Sequence, residues 1–203
     1  DPLRRQRQMC IRDRGNGSVN NLTQYQLPWP NVKAVLITHM HSDHMADLPD
    51  AHLQSWVQGR TAPLKVYGPE GINLVTKGFE LAYSPDYQYR NEHHGDDMLP
   101  MSIAGFNAIQ IIDDQLIPND TPGLEILPFV VDHHPVNSSF GFKVSYKGRT
   151  VVISGDTIHD GSVQKYSKDV DLLVHSAISI DIVERMRKLV PIPQMDKILL
   201  DIQ

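Results

Sequence analysis

The chain has 203 residues, a length that suits one domain with a sizeable core. Its formal charge is −5, and because residues 1–14 carry five arginines and two aspartates, the remaining chain carries −8, which argues against a broad basic face that grips polyanions. The single cysteine, Cys10, excludes an internal disulfide and a cysteine-built metal site, and no apolar run approaches the ~20 residues that a membrane span needs.

The first 18 residues show no hydrophobic period and end in a short polar run with two glycines. We expect residues 1–18 to be a disordered or non-native segment. The alternative is a genuine basic arm that contacts nucleic acid or a membrane. Residues 19–203 are predicted to form one domain.

Strands and helices alternate along that domain. The hydrophobic pattern predicts strands over 32–38, 64–67, 106–113, 124–131, 140–146, 150–154 and 171–174. It predicts helices over 46–58, 71–83, 162–166 and 179–189, and a polar loop over 84–105. Strand-rich stretches with helices outside them favour a layered α/β sandwich.

The most informative motif lies where the first strand ends, in the stretch from Thr38 to His44. It has the spacing H-x-H-x-D-H, with ligand-type residues His39, His41, Asp43 and His44. Neutral imidazoles and a carboxylate suit zinc and similar divalent cations. A tight loop can aim the first two histidines at one point and the next two residues at a second, about 3.5–4 Å away. The alternative, a histidine-rich surface loop, fits this strict spacing poorly.

Three later strand ends also present ligand-type residues. His133 and His134 follow the run 129–131, Asp156 follows the run 152–154 within a Gly-Asp-Thr turn, and His175 follows the run 172–174. Strand ends are where α/β folds build their sites. These residues therefore complete a candidate metal centre.

Taken in order, these motifs resemble those of the metallo-beta-lactamase fold superfamily over most of residues 32–180, in particular its ribonuclease Z-like and arylsulfatase-like branch. The resemblance implies a four-layer αβ/βα sandwich. It assigns the first metal to His39, His41 and His133, the second metal to Asp43 and His44, and the bridging position to Asp156. His133 is preferred over His134 because an Asp-His-x-Pro-Val stretch before a Phe-Gly-Phe hairpin fits this branch.

The resemblance also implies catalytic roles. Asp43 would orient or deprotonate the attacking water as well as ligate the second metal. His175 is similar to a histidine that assists proton transfer in the ribonuclease Z branch. The glutamate that orients that histidine in the branch is replaced here by Ser176.

The family pattern extends beyond this sequence at both ends. Relatives carry strands and a glycine-rich segment before the first motif, and a further histidine ligand of the second metal near the end. This sequence contains no histidine after His175. We therefore expect an incomplete sandwich, an internal fragment of a longer protein, in which the second metal lacks one ligand.

The function predicted from these residues is that of a metal-dependent hydrolase, in which a metal-bound hydroxide cleaves a phosphodiester, a sulfate ester or a carboxylic ester. Two divalent metal ions are implied, with zinc favoured over manganese or iron. A small-molecule ester is favoured over RNA because the body is acidic and only 22 residues separate His133 from Asp156, which leaves no room for a basic arm.

Two alternatives stay open, a transfer-RNA 3′-processing endonuclease and an inactive, truncated or non-catalytic metal-binding domain. The sequence also leaves open a homodimer and either a cytoplasmic or a periplasmic location.

Overall fold

The computed structural model describes residues 9–12, 17–189 and 192–201. The strands are β1 (Met9–Arg12), β2 (Val32–Leu36), β3 (Leu64–Gly68), β4 (Phe106–Gln110), β5 (Leu124–His133), β6 (Val136–Tyr146), β7 (Arg149–Ile153) and β8 (Leu172–Val174). The helices are α1 (Ser18–Gln24), α2 (Ser42–Met45), α3 (Leu48–Val57), α4 (Ile72–His94), α5 (Ser162–Tyr166), α6 (Ile180–Leu189) and α7 (Pro193–Asp201). Short 3-10 helices lie at Trp29–Asn31 and Met101–Ile103.

The strands form two four-stranded sheets. The first sheet has the order β1-β2-β3-β4 with all strands parallel, and the second has the order β5-β6-β7-β8. In the second sheet β5, β6 and β7 are antiparallel, and β8 runs parallel to β7. The apolar sequences of β2 and β3 follow from this arrangement, because a parallel strand that is covered on both faces must be apolar on both.

The core consists of layers that pack against one another. One face of the first sheet packs under α1, α3 and α4, through buried residues that include Val19, Val35, Leu48, Ala51, Val66 and Ile72. The opposite face meets the second sheet through Ala34, Leu36, Tyr67, Ile126, Phe140 and Phe142. The far face of the second sheet packs against α5 through Phe129, Val131, Val152 and Val163. The predicted mixed α/β sandwich is confirmed.

The largest difference from the predicted elements concerns α4. The sequence predicts its end at residue 83 and a loop beyond it, whereas the helix continues to His94 and passes through Pro85. Tyr83 and Tyr87, one helical turn apart, continue the packed face of the helix, and Tyr87 contacts the buried Trp56. Most polar residues of this stretch lie on the exposed face of the helix. Their number made the sequence resemble a loop.

The beginning of the chain also differs from the predicted pattern. Within the segment predicted to be disordered or non-native, Met9–Arg12 pair in parallel with β2, and Ser18 begins α1. Residues 1–8 and 13–16 lie outside the described residues, so the prediction for them stays a prediction. No helix among the described residues is long and apolar enough to cross a membrane.

Candidate metal centre

His39 lies three residues beyond the end of β2, and its side chain is completely buried. Its Nδ1 is 3.0 Å from the Thr38 hydroxyl, so its Nε2 points the other way, into the site. Burial, together with the neighbouring His44 and His133, lowers the pKa of His39 to about 4. The imidazole is therefore neutral at neutral pH, which is the form that binds a metal.

The first group of ligand atoms consists of three imidazole nitrogens. His39 Nε2 lies 3.0 Å from His41 Nδ1, and His133 Nε2 lies 3.3 Å from the same atom. A tetrahedral zinc ion with Zn–N distances of 2.0–2.1 Å needs ligand atoms about 3.3 Å apart. These three residues therefore fit one zinc ion.

The local backbone explains why these rings converge. His41 is the extended residue directly before α2, so its ring is set by the turn between β2 and that helix. His133 is the last residue of β5, just after a register shift in the β5–β6 ladder. The Phe140 amide donates to the Thr38 carbonyl at 3.0 Å, which joins the two sheets beside the site. One histidine pair from the first sheet thus meets one histidine from the second.

The second group combines His39, His44 and Asp156. His44 Nε2 is 3.2 Å from Asp156 Oδ2 and 3.5 Å from Asp43 Oδ2. The hydrogen bond from His44 lowers the pKa of Asp156, so this carboxylate is ionised at neutral pH. Asp43 lies outside both groups of converging atoms, and 75% of its side-chain surface is exposed. The two imidazoles and the carboxylate that converge here suit a divalent cation.

The turn that carries Asp156 depends on Gly155. This glycine has a φ of +66°, and a Cβ atom at its position would lie 2.7 Å from the Phe140 carbonyl oxygen. The Ser176 hydroxyl donates to the Gly155 carbonyl at 3.0 Å, which ties the end of β8 to the same turn. Only a residue without a side chain allows this close approach.

The structure places the remaining predicted residues as follows. His175 follows β8 and is exposed, with its Nδ1 against the Ser176 carbonyl, and it belongs to neither group of ligand atoms. His134 is also exposed and outside both groups, whereas His133 is inside one. Thr38 was not predicted as a site residue, although its position before the first ligand is a signal that could have identified it.

Proteins similar to this chain are named as RNA-processing enzymes. The ribonuclease Z of Mycobacterium bovis is 33% identical over 183 residues, which cover 88% of this chain and 63% of that protein. The crystal structure of human tRNase Z, short form, superposes with a TM-score of 0.56 at 25% identity and covers 94% of this chain and 76% of that one. The metallo-beta-lactamase fold protein YhfI of Bacillus subtilis has a TM-score of 0.58 at 21% identity, over 80% of this chain and 56% of that one, and shows the fold alone.

These names correct the predicted substrate class. The prediction that a small-molecule ester suits the site better than RNA is wrong, because the relatives are ribonucleases. It rested on the charge of the body and on the short separation of His133 and Asp156 in the sequence. Net charge is a sum over the whole surface, whereas a phosphodiester that reacts at a metal centre meets the cations held there.

A family model covers almost the whole chain. The model described as the metallo-beta-lactamase superfamily matches residues 1–193. The predicted superfamily, its ribonuclease Z-like branch and the class of metallo-hydrolases are confirmed, whereas the arylsulfatase-like resemblance stays a prediction. With the family model, the ribonuclease Z relatives and the fold in agreement, this chain belongs to the metallo-beta-lactamase superfamily.

Proposed function

We propose that this protein is a ribonuclease Z-like endonuclease, which hydrolyses a phosphodiester bond of precursor transfer RNA at a centre of two divalent cations, with zinc preferred. One observation carries the proposal. Two groups of ligand atoms share His39 and converge from both sheets, in a chain 33% identical to a ribonuclease Z. The chain spans about three fifths of the length of the curated relatives it matches, so the proposal concerns the activity of the whole protein.

The ligand sets follow from the distances. His39, His41 and His133 would hold the first cation, because their nitrogens already lie at the spacing of tetrahedral ligands. The second cation would be held by His44 and Asp43, with Asp156 between the two positions. Cations bound there polarise the substrate oxygens and make water acidic enough to act as a nucleophile at neutral pH.

The side chains of this protein supply the proton transfers. Asp43 is an exposed carboxylate at the edge of the site, so it can orient the attacking water and accept its proton. The water oxygen bonds to phosphorus as the P–O bond to the leaving oxygen breaks. His175 is the candidate donor of a proton to that oxygen, because Ser176 brings its segment beside the turn that carries Asp156.

The acidic body is compatible with an RNA substrate. Two divalent cations add four positive charges at the point where the scissile phosphate binds. Local attraction of a phosphate at such a centre depends on those charges, while the distant acidic groups are screened beyond about 8–10 Å at physiological salt. The proposal therefore needs no broad basic face on this part of the protein.

Cleavage of a precursor transfer RNA with a 3′ trailer tests the proposal. The protein is loaded with zinc or manganese, and product length is read on a sequencing gel. We expect a single cut by the unchanged protein and a loss of at least about 100-fold for His41→Ala, because the first cation loses a ligand.

The matched control is His134→Ala, which removes an exposed histidine next to a proposed ligand but outside both groups. Its cleavage rate should stay within about twofold of the unchanged protein. Equal losses in the two variants, or a loaded protein that leaves the precursor intact, would contradict the proposed function.

A further inference from the structure

We propose that Asp160 is a positioning residue for the metal centre. Its carboxylate ties the loop after Asp156 to the backbone of β5 next to His133. It thereby fixes the relative positions of two ligands that come from different strands. This inference rests on the proposed function, because it assumes that these two residues hold metal.

The Asp160 carboxylate accepts two hydrogen bonds, one from β5 and one from the first residue of α5. Its Oδ2 accepts from the Asp132 amide at 2.9 Å, and its Oδ1 accepts from the Ser162 amide at 2.8 Å. The Ile158 amide donates to the Asp132 carbonyl at 2.9 Å. Both backbone groups of the residue before His133 are therefore bonded to the loop that begins at Asp156.

The β5–β6 ladder explains why Asp132 needs these partners. Val131 pairs with Ser139 and His133 pairs with Val136, so the register shifts around Asp132 and leaves it without a partner strand residue. In addition, β5 is the outer strand of its sheet. Backbone groups at such an edge need partners from loops or from water.

Loop residues also bond to backbone groups of β5 elsewhere along the same edge. The Asp114 amide donates to the Pro128 carbonyl at 3.1 Å, and Asp113 Oδ1 accepts from the Val130 amide at 2.9 Å. Asp113 and Asp160 are thus both exposed aspartates that cap an amide of β5. They differ in two respects, since Asp160 also accepts from the Ser162 amide and only Asp160 belongs to the loop that carries a proposed ligand.

This difference predicts different effects on metal binding. Without Asp160, the loop after Asp156 keeps one backbone bond to β5, and the distance between Asp156 and His133 becomes variable. Groups that hold a ligand in place typically contribute about 10–100-fold to metal affinity. Asp113 bonds to the Val130 amide, three residues before His133, and should contribute to folding alone.

The test compares Asp160→Ala with Asp113→Ala. Zinc affinity is measured by competition with a chromophoric chelator, and the geometry of the site by the visible absorption of the cobalt-loaded protein. We expect about 10–100-fold weaker zinc binding and an altered cobalt spectrum for Asp160→Ala. Asp113→Ala should lower the melting temperature by a similar amount yet keep the zinc affinity within about twofold. Asp160→Asn, which retains one acceptor oxygen, should have a zinc affinity between those of Asp160→Ala and Asp113→Ala.

Two results in the variants would overturn the proposal. One is unchanged zinc affinity and an unchanged cobalt spectrum in Asp160→Ala. The other is an equal loss of affinity in Asp113→Ala, which would show a general effect of stability. An unchanged protein that binds no zinc would overturn it as well. A protein that binds zinc but does not cut precursor transfer RNA would refute the proposed function alone, because the zinc comparison needs no substrate.

Discussion

Two histidines of this protein are fully buried, His39 in the metal centre and His52 on α3. Burial is the largest cause of a lowered pKa in both, to about 4 for His39 and about 3 for His52. Their surroundings differ. His52 Nδ1 lies 3.3 Å from the Tyr87 hydroxyl and its Nε2 lies 3.3 Å from Arg60, whereas His39 Nε2 faces another imidazole at 3.0 Å. Convergence of acceptor atoms, and not burial, therefore distinguishes the metal centre.

The two regions also differ in the source of their positive charge. Around His52 the cation is Arg60, whose guanidinium donates to the Ile103 carbonyl at 2.7 Å, the Gly105 carbonyl at 3.3 Å and the Ser55 hydroxyl at 2.9 Å. Around His39 the acceptors of several residues face one another, and a cation from solution can satisfy them. The positive charge of one region thus comes from the chain itself, whereas the other would receive it from the proposed metal ions.

The largest expected effect follows from removing a buried ligand of the first cation, His39→Ala. Its Nε2 lies among the atoms of both groups, so zinc binding should weaken by well over about 100-fold. The zinc-dependent rise in melting temperature should then disappear, because ligand binding stabilises only a protein that binds. Differential scanning calorimetry with and without zinc measures this. A variant that is still stabilised by zinc to the full extent would contradict the assignment.

The next effect concerns the region that the chain completes by itself. Arg60→Ala removes the charged hydrogen bonds to the Ile103 and Gly105 carbonyls, which each keep one backbone donor, and we expect a loss of about 3 kcal/mol in the free energy of unfolding. The zinc bound per folded molecule should stay unchanged. Urea unfolding gives the first quantity and metal analysis the second.

The matched control is Arg90→Ala, which removes a partly exposed arginine paired with Asp86 on the surface of α4. Loss of this surface ion pair should lower the free energy of unfolding far less than Arg60→Ala does. If Arg60→Ala emptied the metal centre while the protein stayed folded, the two regions would not be independent.

A smaller effect is expected from Gly155→Ala, compared with Gly161→Ala. Both glycines have a positive φ, +66° and +84°, but a Cβ would meet the Phe140 carbonyl only at Gly155. Backbone strain alone should cost about 1–2 kcal/mol at Gly161, and the clash should add to this at Gly155. Zinc affinity should fall for Gly155→Ala alone, as chelator competition would show. Equal zinc affinities in the two variants would argue against a rigid Asp156 turn.

The smallest effect, counted per pH unit, concerns the buried His52. Its pKa in the folded protein, about 3, lies below its ordinary value of 6.5, so between these values the unfolded chain binds more protons. The free energy of unfolding should therefore fall as the pH drops below 6.5, by up to about 1.4 kcal/mol per pH unit from this group. Arg60 also favours the neutral ring and so lowers the pKa of His52, whereas a backbone hydrogen bond with Gly105 raises it. The variant His52→Gln should show a shallower decline in urea titrations from pH 7 to pH 4, and an identical slope would refute this account.

The sequence predicted those parts of the molecule that depend on neighbouring residues. Four proposed ligands lie within six positions of the first motif, and Asp156 lies in a recognisable Gly-Asp-Thr turn, so the local sequence together with the family resemblance was enough to propose them. The α5 helix and the turn of the β6–β7 hairpin also depend on short-range patterns, and both were predicted within one residue, although β6 begins at Val136, four residues before its predicted start.

Contacts between distant segments were beyond prediction. Arg60 bonds to carbonyls more than forty positions away, and the second half of α4 is stabilised by packing on Trp56. No local pattern contains that information. The substrate class was mispredicted for a similar reason, because total charge does not report the charge at one site.

Zinc-edge anomalous diffraction from crystals of the zinc-loaded protein tests the central claim most directly. We predict a strong peak 2.0–2.1 Å from His39 Nε2, His41 Nδ1 and His133 Nε2, with a second peak beside His44 and Asp156 and none near His52. A strongest peak at any other place, or no peak among the three nitrogens at saturating zinc, would contradict the account.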